Sequence, residues 1–250
     1  MTVACPSLGN FGRLGNQLFQ VAATCAHAWR NDTQPLFPIW ERSYAFDVDP
    51  AWFRRVVPYS GEPVSRCEPH EWKYQPLPYW EDMAIHGYFQ SPKYWEGYED
   101  WVRCRLLPKF IAQNWKDEDP STATVHVRRT DYLELPDFHP VPSDEWYEEA
   151  INRVKDAGAE RIVICSDDPF YCREHRMFGQ YEVSDKTELH DLALMCMSDF
   201  HVIANSTFSW WGAYLAANPQ LVIMPQDWFG PALREHCEPK QLQCEGWVML

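Results

Sequence analysis

Basic residues are scarce in this chain: 22 Lys and Arg stand against 36 Asp and Glu, for a net charge of −14. A nucleic-acid binder needs a basic excess to neutralise phosphates, so that class is excluded, whereas a local basic pocket for a small anion is not. Long apolar runs are missing, which excludes a span across a bilayer, and no charged-then-apolar leader opens the chain. The nine cysteines are an odd number and form no CxxC pair, so neither a zinc site nor a disulfide framework is expected. Free thiols in a reducing cytoplasm are the expectation. Histidine pairs at metal-binding spacing are missing, no Ser–His–Asp arrangement can be assembled, and there is no internal repeat or low-complexity tract. What the chain does have is 250 residues, 46% of them hydrophobic, enough to bury a core in one or two compact units. Aromatics reach 15%, with 13 Trp, and their flat faces serve core packing, sugar rings or a nucleobase.

The start reads strand–turn–helix: residues 2–5 are short and apolar, and 18–29 are Ala-rich with a helical pattern. Between them Gly9, Gly12 and Gly15 recur three apart, which is neither GxGxxG nor a Walker A loop, and they allow positive φ or close approach of a ligand to backbone. Residues 31–82 carry Pro, Trp and charge with weak periodicity, and predict irregular structure with short strands. Residues 84–90 read as a strand and 92–106 as a helix. The polar stretch 113–121 ends a first domain of 1–118 and opens a second of 119–250.

The second half alternates. Strand 124–127 leads to helix 144–156, capped by Ser143; strand 161–165 leads to Ser166-Asp167-Asp168-Pro169 and a helix to about 176. Helix 188–197 leads to strand 200–204, then to Asn205-Ser206-Thr207-Phe208-Ser209-Trp210-Trp211-Gly212, a helix to 217 and strand 221–224. Strands alternating with helices of this length predict an α/β protein with a doubly wound parallel sheet.

In such sheets ligands bind beyond the carboxyl ends of strands, where strand order reverses. Three polar clusters sit at predicted strand ends: 126–131, 166–168 and 205–209. In His126-Val127-Arg128-Arg129-Thr130-Asp131 two arginines follow a buried strand. The planar, permanently charged fork of arginine suits a diphosphate, since it holds two oxygens at once. Alternation puts His126 and Arg128 on one face and Arg129 on the other, so that one arginine meets a ligand while its neighbour pairs internally, with Asp131 as partner. The alternative is a strand-end ion-pair cluster with no ligand. Ser206 and Thr207 open a helix and offer amides and hydroxyls to phosphate, or act as an ordinary cap. Asp167 or Asp168 suits a ribose or guanine, while Asp168-Pro169 equally suits a helix start. Trp210-Trp211 is a packing wedge or a sugar platform. Asp47-Val48-Asp49 matches a DxD metal motif but follows no buried strand.

The stretch Gly12-Arg13-Leu14-Gly15-Asn16-Gln17-Leu18-Phe19-Gln20 resembles the opening motif of the alpha-1,2-fucosyltransferases, glycosyltransferase family 11. His126-Val127-Arg128-Arg129-Thr130-Asp131 resembles the HxRRxD motif of fucosyltransferases, and residues 203–216 resemble that family's C-terminal motif. Gly87-Tyr88-Phe89-Gln90-Ser91 fits as well. Four motifs in this order cover most of the chain, to about Trp228.

The resemblance implies a GT-B-like fold, two Rossmann-like lobes with a cleft between them. The first lobe would serve the acceptor and the second GDP-fucose. It implies transfer of L-fucose from GDP-β-L-fucose to the 2-OH of a galactose-containing glycan, with inversion and without a metal or other cofactor. Arg128 would neutralise the β-phosphate, and His126 and, less securely, Asp167 would sit by the nucleotide. Ser206, Thr207 and Ser209 would line the diphosphate, and Arg13, Asn16 and Gln17 would lie near donor or acceptor. Asp131 joins Arg128 as a candidate catalytic residue, in the role of base, and Glu41, Asp47 and His86 are further candidate bases. An α1,6-type linkage and a non-catalytic sugar- or nucleotide-binding protein are the rival readings.

Overall fold

The computed structural model describes residues 1–55, 65–66 (backbone only), 73–109 and 121–250. Two compact units emerge: Met1–Lys109 with His236–Leu242, and Phe110–Glu235 with Gln243–Leu250. The expected boundary at 113–121 lies, Ser121 apart, outside the described residues.

The first unit is built on a parallel sheet of β1 (Thr2–Ala4), β2 (Gln34–Pro38), β3 (Phe53–Arg54), β4 (Ser65–Arg66) and β5 (Met83–His86), in the order β3-β2-β1-β5-β4. Helix α1 spans Leu14–Arg30, four residues earlier than 18–29 suggested, and is buried along most of its length. Gly15 and Asn16, weak helix formers, therefore belong to its first turn. Gly9 and Gly12 do take positive φ, 88° and 78°, while Gly15 does not. The strand expected over 84–90 stops at His86, because Phe89 adopts φ 52° and no left-handed residue continues a strand. The helix expected over 92–106 is broken: a 3-10 turn at Pro92–Trp95, Gly97 at φ 85°, then α2 at Glu99–Arg105.

The second unit carries β6 (Thr122–Val127), α3 (Asp144–Asp156), β7 (Arg161–Ser166), α4 (Pro169–Glu174), β8 (Glu182–Val183), α5 (Glu188–Met197), β9 (Phe200–Val202), α6 (Thr207–Leu215), β10 (Leu221–Met224) and β11 (Val248–Met249). All its strands are parallel, in the order β11-β10-β9-β6-β7-β8. The chain thus winds outward from β6 to β8, then returns to the other flank of β6 and winds out to β11. β6 and β9 are the neighbours at which strand order reverses.

Caps read from the sequence are in place. Ser143 accepts from Trp146 N at 3.3 Å, and Asp168 accepts from Tyr171 N at 3.1 Å with Pro169 at the first helical position. The core joins Val125, Tyr147, Ile151, Ile164, Phe200 and Ile223 from the strands and α3. Trp210 and Trp211 are fully buried, with Trp210 stacked on Tyr214 at 4.7 Å, so this pair is packing rather than a sugar platform. Gly212 lets α5 approach α6: a Cβ there would lie 2.4 Å from Met195 Cβ. Two parallel-sheet lobes with connecting helices are the GT-B-like, two-Rossmann-lobe architecture that the motifs imply.

Candidate functional site

At the β6/β9 reversal in the second unit, seven of the ten expected site residues come together. β6 is buried throughout and ends at Val127, so His126 lies one residue inside the end of the strand and Arg128 is the first residue beyond it. Arg128 is 6% exposed, and its guanidinium pairs with both Asp167 and Asp131, with Thr130 Oγ1 at 3.4 Å. Its charged carbon lies 4.9 Å from the centre of the Tyr132 ring. The internal pairing expected for a neighbouring arginine therefore falls on Arg128 itself.

Arg129 leaves the strand geometry, with φ −135° and ψ −81°, and lays its guanidinium on the Tyr171 ring of α4 at 3.4 Å. Its Nε is buried with no hydrogen-bond partner. Asp167 collects the whole turn: one oxygen serves Arg128 and Thr130 Oγ1, and the other accepts from the backbone N–H of Arg129 at 2.9 Å. Of the two aspartates left open by the sequence, Asp168 is thus the cap of α4 and Asp167 the partner of the arginines. Ser166 ties β7 to β6 by donating to Val127 O at 2.7 Å.

His126 meets α6. Its Nδ1 lies 2.8 Å from Ser209 Oγ, and that hydroxyl is 3.3 Å from Ser206 O. A carbonyl only accepts, so the single hydroxyl hydrogen of Ser209 goes there and His126 donates from Nδ1. Burial, helped by the positive charge of Arg128, pushes the His126 pKa down to about 3, so the ring is neutral and Nε2 is its acceptor end. Ser206 caps α6, accepting from Phe208 N at 3.4 Å, and Thr207 is the first helical residue. The cap and the phosphate-cradle readings are compatible, since a helix start presents its remaining amides outward.

Sequence reasoning did not single out Tyr132, Thr130 or Tyr171. Tyr132 donates to Asn205 O at 3.0 Å and stacks on His139 at 4.7 Å, joining the β6 turn to the end of β9. Asn205 donates to Pro140 O at 2.8 Å and to Trp228 O at 3.2 Å, fixing the loop that enters α6. Thr130 lies inside the quoted motif, and Tyr132 directly follows it. Tyr171 had no signal beyond lying three residues past Asp168.

The other three expected residues, Arg13, Asn16 and Gln17, belong to the first unit. Arg13 precedes α1 and gives it no side-chain cap. Asn16 Oδ1 accepts from Gln90 Nε2 at 2.9 Å. Gln17 is 3% exposed, accepting from Trp40 Nε1 and donating to Gly12 O, both at 2.8 Å, so it holds the preceding loop in place. The Asp47-Val48-Asp49 carboxylates also have structural partners: Asp47 pairs with Arg105, and Asp49 caps Ala51 N at 2.8 Å. Among the described residues, no group of three or more His, Cys, Asp or Glu is arranged to hold a metal ion. The eight described cysteines carry free thiols, and no described helix is long and apolar enough to cross a membrane.

Two parallel-sheet lobes, one of them with arginine, histidine and a helix start at its strand-order reversal, place the chain in the GT-B-like fold class. The particular family follows from sequence comparison. The profile of glycosyl transferase family 11 matches residues 66–250, and the chain belongs to that family. It is 34% identical over 143 residues to the Escherichia coli O-antigen biosynthesis glycosyltransferase WbnK, covering 53% of this chain and 46% of that protein. It is 27% identical over 159 residues to an alpha-1,2-colitosyltransferase of Escherichia coli, covering 57% and 55%. Over 271 residues it is 26% identical to a galactoside 2-alpha-L-fucosyltransferase of Bos taurus, covering 95% of this chain and 71% of the bovine protein. The chain thus spans about half the length of the two bacterial relatives.

Proposed function

We propose that the protein transfers L-fucose from GDP-β-L-fucose to a hydroxyl of a glycan, the 2-OH of a galactoside, with inversion and without an obligatory metal. The second unit would bind the donor and the first the acceptor. The observation that carries this reading is the meeting of Arg128, His126, Asp167 and the start of α6 at the β6/β9 reversal. Membership of family 11, and the names of the bovine and colitosyl relatives, support an α1,2 link.

Breaking the bond between the sugar and the β-phosphate sends its electron pair to a phosphate oxygen and leaves positive charge on the sugar. A fixed guanidinium and helix-start amides stabilise that leaving oxygen with little reorganisation. Arg128 suits the role because both of its edges are already oriented, by Asp167 and Asp131. His126, neutral and held through Nδ1, offers Nε2 to a donor group of the nucleotide. The acceptor oxygen attacks on the face opposite the departing GDP, and its proton passes to a base or to solvent. Asp131, whose side chain is 44% exposed, is the base candidate in the second unit. Cytoplasmic residence belongs to the same reading.

The test is incubation of the purified protein with GDP-fucose and a panel of β-galactosides in EDTA, following GDP release and product mass. A product heavier by one deoxyhexose with an α1,2 link is expected. The colitosyl relative makes a second donor sugar worth including. Saturable GDP binding with no product from any acceptor would point to the non-catalytic alternative.

A further inference from the structure

The donor-side cluster has two anion-holding parts, the Arg128 guanidinium just past β6 and the start of α6, and they hang from different strands. The carboxylates of Asp167 and Asp131 orient the first part, and the Ser206 cap orders the second. Each device acts within its own part. The sheet does not hold the parts together either, because the β6–β9 ladder ends with Val125 opposite Val202, three residues short of Arg128 and three short of Asn205. His126 ties the strand to Ser209, already inside α6. What remains to be set is the spacing between the turn that carries Arg128 and the residues that lead into the helix.

Tyr132 spans that gap. It belongs to the 3-10 turn Thr130–Glu134 and its N–H donates to Arg129 O at 2.7 Å, so it moves with the arginine turn. Its ring lies 4.9 Å from the charged carbon of Arg128, an attraction between cation and ring face. Its hydroxyl donates to the backbone oxygen of Asn205, the residue ahead of the Ser206 cap, at 3.0 Å. A closed circuit stiffens this link. The Asn205 side chain donates to Pro140 O at 2.8 Å, and the neighbouring His139 stacks on the Tyr132 ring at 4.7 Å with planes at 19°. A tyrosine is required because both ends are used: phenylalanine supplies the ring face without the hydroxyl, and an aliphatic residue supplies neither. Two groups that grip one ligand must keep one separation, since small misplacements are costly.

We propose that Tyr132 is a positioning residue that sets the spacing between Arg128 and the start of α6, so that both grip one nucleoside diphosphate together. The assignment rests on the reading of this cluster as the donor diphosphate site. It gives the residue after the HxRRxD motif a task of its own.

The test compares GDP with GMP by calorimetry on the unaltered chain, Tyr132→Phe and Tyr132→Leu, with near-ultraviolet circular dichroism reading the fold. GMP has one phosphate and needs one of the two groups; GDP needs both at their proper separation. Tyr132→Phe should lower GDP affinity about five-fold, the worth of one hydrogen bond. Tyr132→Leu also loses the ring face and should bring the loss to about 20-fold. GMP affinity should stay within about two-fold in both variants. In an Arg128→Lys background, the effect of Tyr132→Leu on the ratio of GDP to GMP affinity should shrink to about two-fold, because the two residues act as one device. Equal losses for GDP and GMP in folded variants would make Tyr132 merely structural, and a ratio that does not move would make it dispensable; either overturns the proposal and leaves the donor reading standing. An unaltered chain that binds neither nucleotide would overturn the donor reading and the proposal with it.

Discussion

Replacing Arg128 by alanine removes the one guanidinium that holds two carboxylates at the strand end. Three consequences can be worked separately. For chemistry, losing a preorganised positive group beside a developing oxyanion costs about 100- to 1,000-fold in kcat, or roughly 3–4 kcal/mol. For binding, the cluster of Arg128, Arg129, Asp131 and Asp167 goes from balanced to net negative, so GDP must approach two carboxylates that have lost their shared partner. For stability, stripping the partner from a fully buried charge costs about 3–5 kcal/mol. Here the carboxylate side chains are 19% and 44% exposed, so water takes over part of the role and the low end or less is expected, compatible with a folded protein. Arg128→Lys keeps the charge but cannot span both partners, and should fall between alanine and the original. The informative partner is the double change Arg128→Ala with Asp167→Asn: removing one stranded negative charge should restore part of the GDP affinity and none of the turnover. GDP release with product mass reads the first quantity, calorimetric GDP binding the second, and near-ultraviolet circular dichroism the fold. A folded Arg128→Ala protein losing less than about ten-fold in kcat would refute the leaving-group role.

Acidification should destabilise the second unit through its buried histidines. Burial holds His126 near a pKa of about 3 and His201 near about 4, so their contribution is complete above the ordinary value of 6.5 and is lost as pH falls toward those values. Asp191, raised by burial to about 6, acts in the opposite sense: its contribution is present in acid and lost as pH rises through 6. Between pH 6 and 4 the two histidines outweigh the one aspartate, and these groups together should lower the unfolding free energy by about 1.4 kcal/mol per pH unit. His201→Leu should remove most of that slope in denaturant titrations; an unchanged slope counts against the assignment. Gly212→Ala should cost about 1–3 kcal/mol, read as a lowered Tm, and Met195→Ala should rescue little of it, because the obstructing atom at 2.4 Å is the Cβ. Asp49→Asn should leave transfer within about two-fold with EDTA present, since Asn caps a turn as Asp does; a large loss rescued by a divalent cation would revive a metal role for the DxD-like triplet.

The second unit was the more legible because its strands are short apolar runs separated by helices with explicit caps. Ser143 and Asp168-Pro169 mark helix starts by chemistry that acts within three residues, and both work as read. The first unit hides its boundaries for the converse reason. Gly15 and Asn16 made the first turn of α1 look like loop, yet a turn that buries Gly15 and Gln17 can carry weak helix formers. Residues 84–90 read as one strand, while the deciding fact is the left-handed Phe89, whose ring packs edge-on against Tyr94 and which no local pattern encodes.

The donor-side cluster shows the same division within one motif. Alternation holds only as far as β6 is a regular strand, to Val127, so it reaches His126 but not Arg129, which has left strand geometry. It could not assign the ion pairs, because the pairing depends on where strand geometry ends and on Asp167 arriving from a different strand, 39 residues away in sequence. Once β6 and β7 are parallel neighbours, with Val127 opposite Ser166, the residue after each strand end must face the other's. Arg128 and Asp167 are those two residues. The register, more than the motif, makes Arg128 rather than Arg129 the arginine with fixed orientation, and this is why the alanine substitution is aimed at Arg128. Arg129 instead lies on the Tyr171 ring with its Nε unpartnered among the described residues, and no carboxylate pair fixes its guanidinium as Asp167 and Asp131 fix that of Arg128.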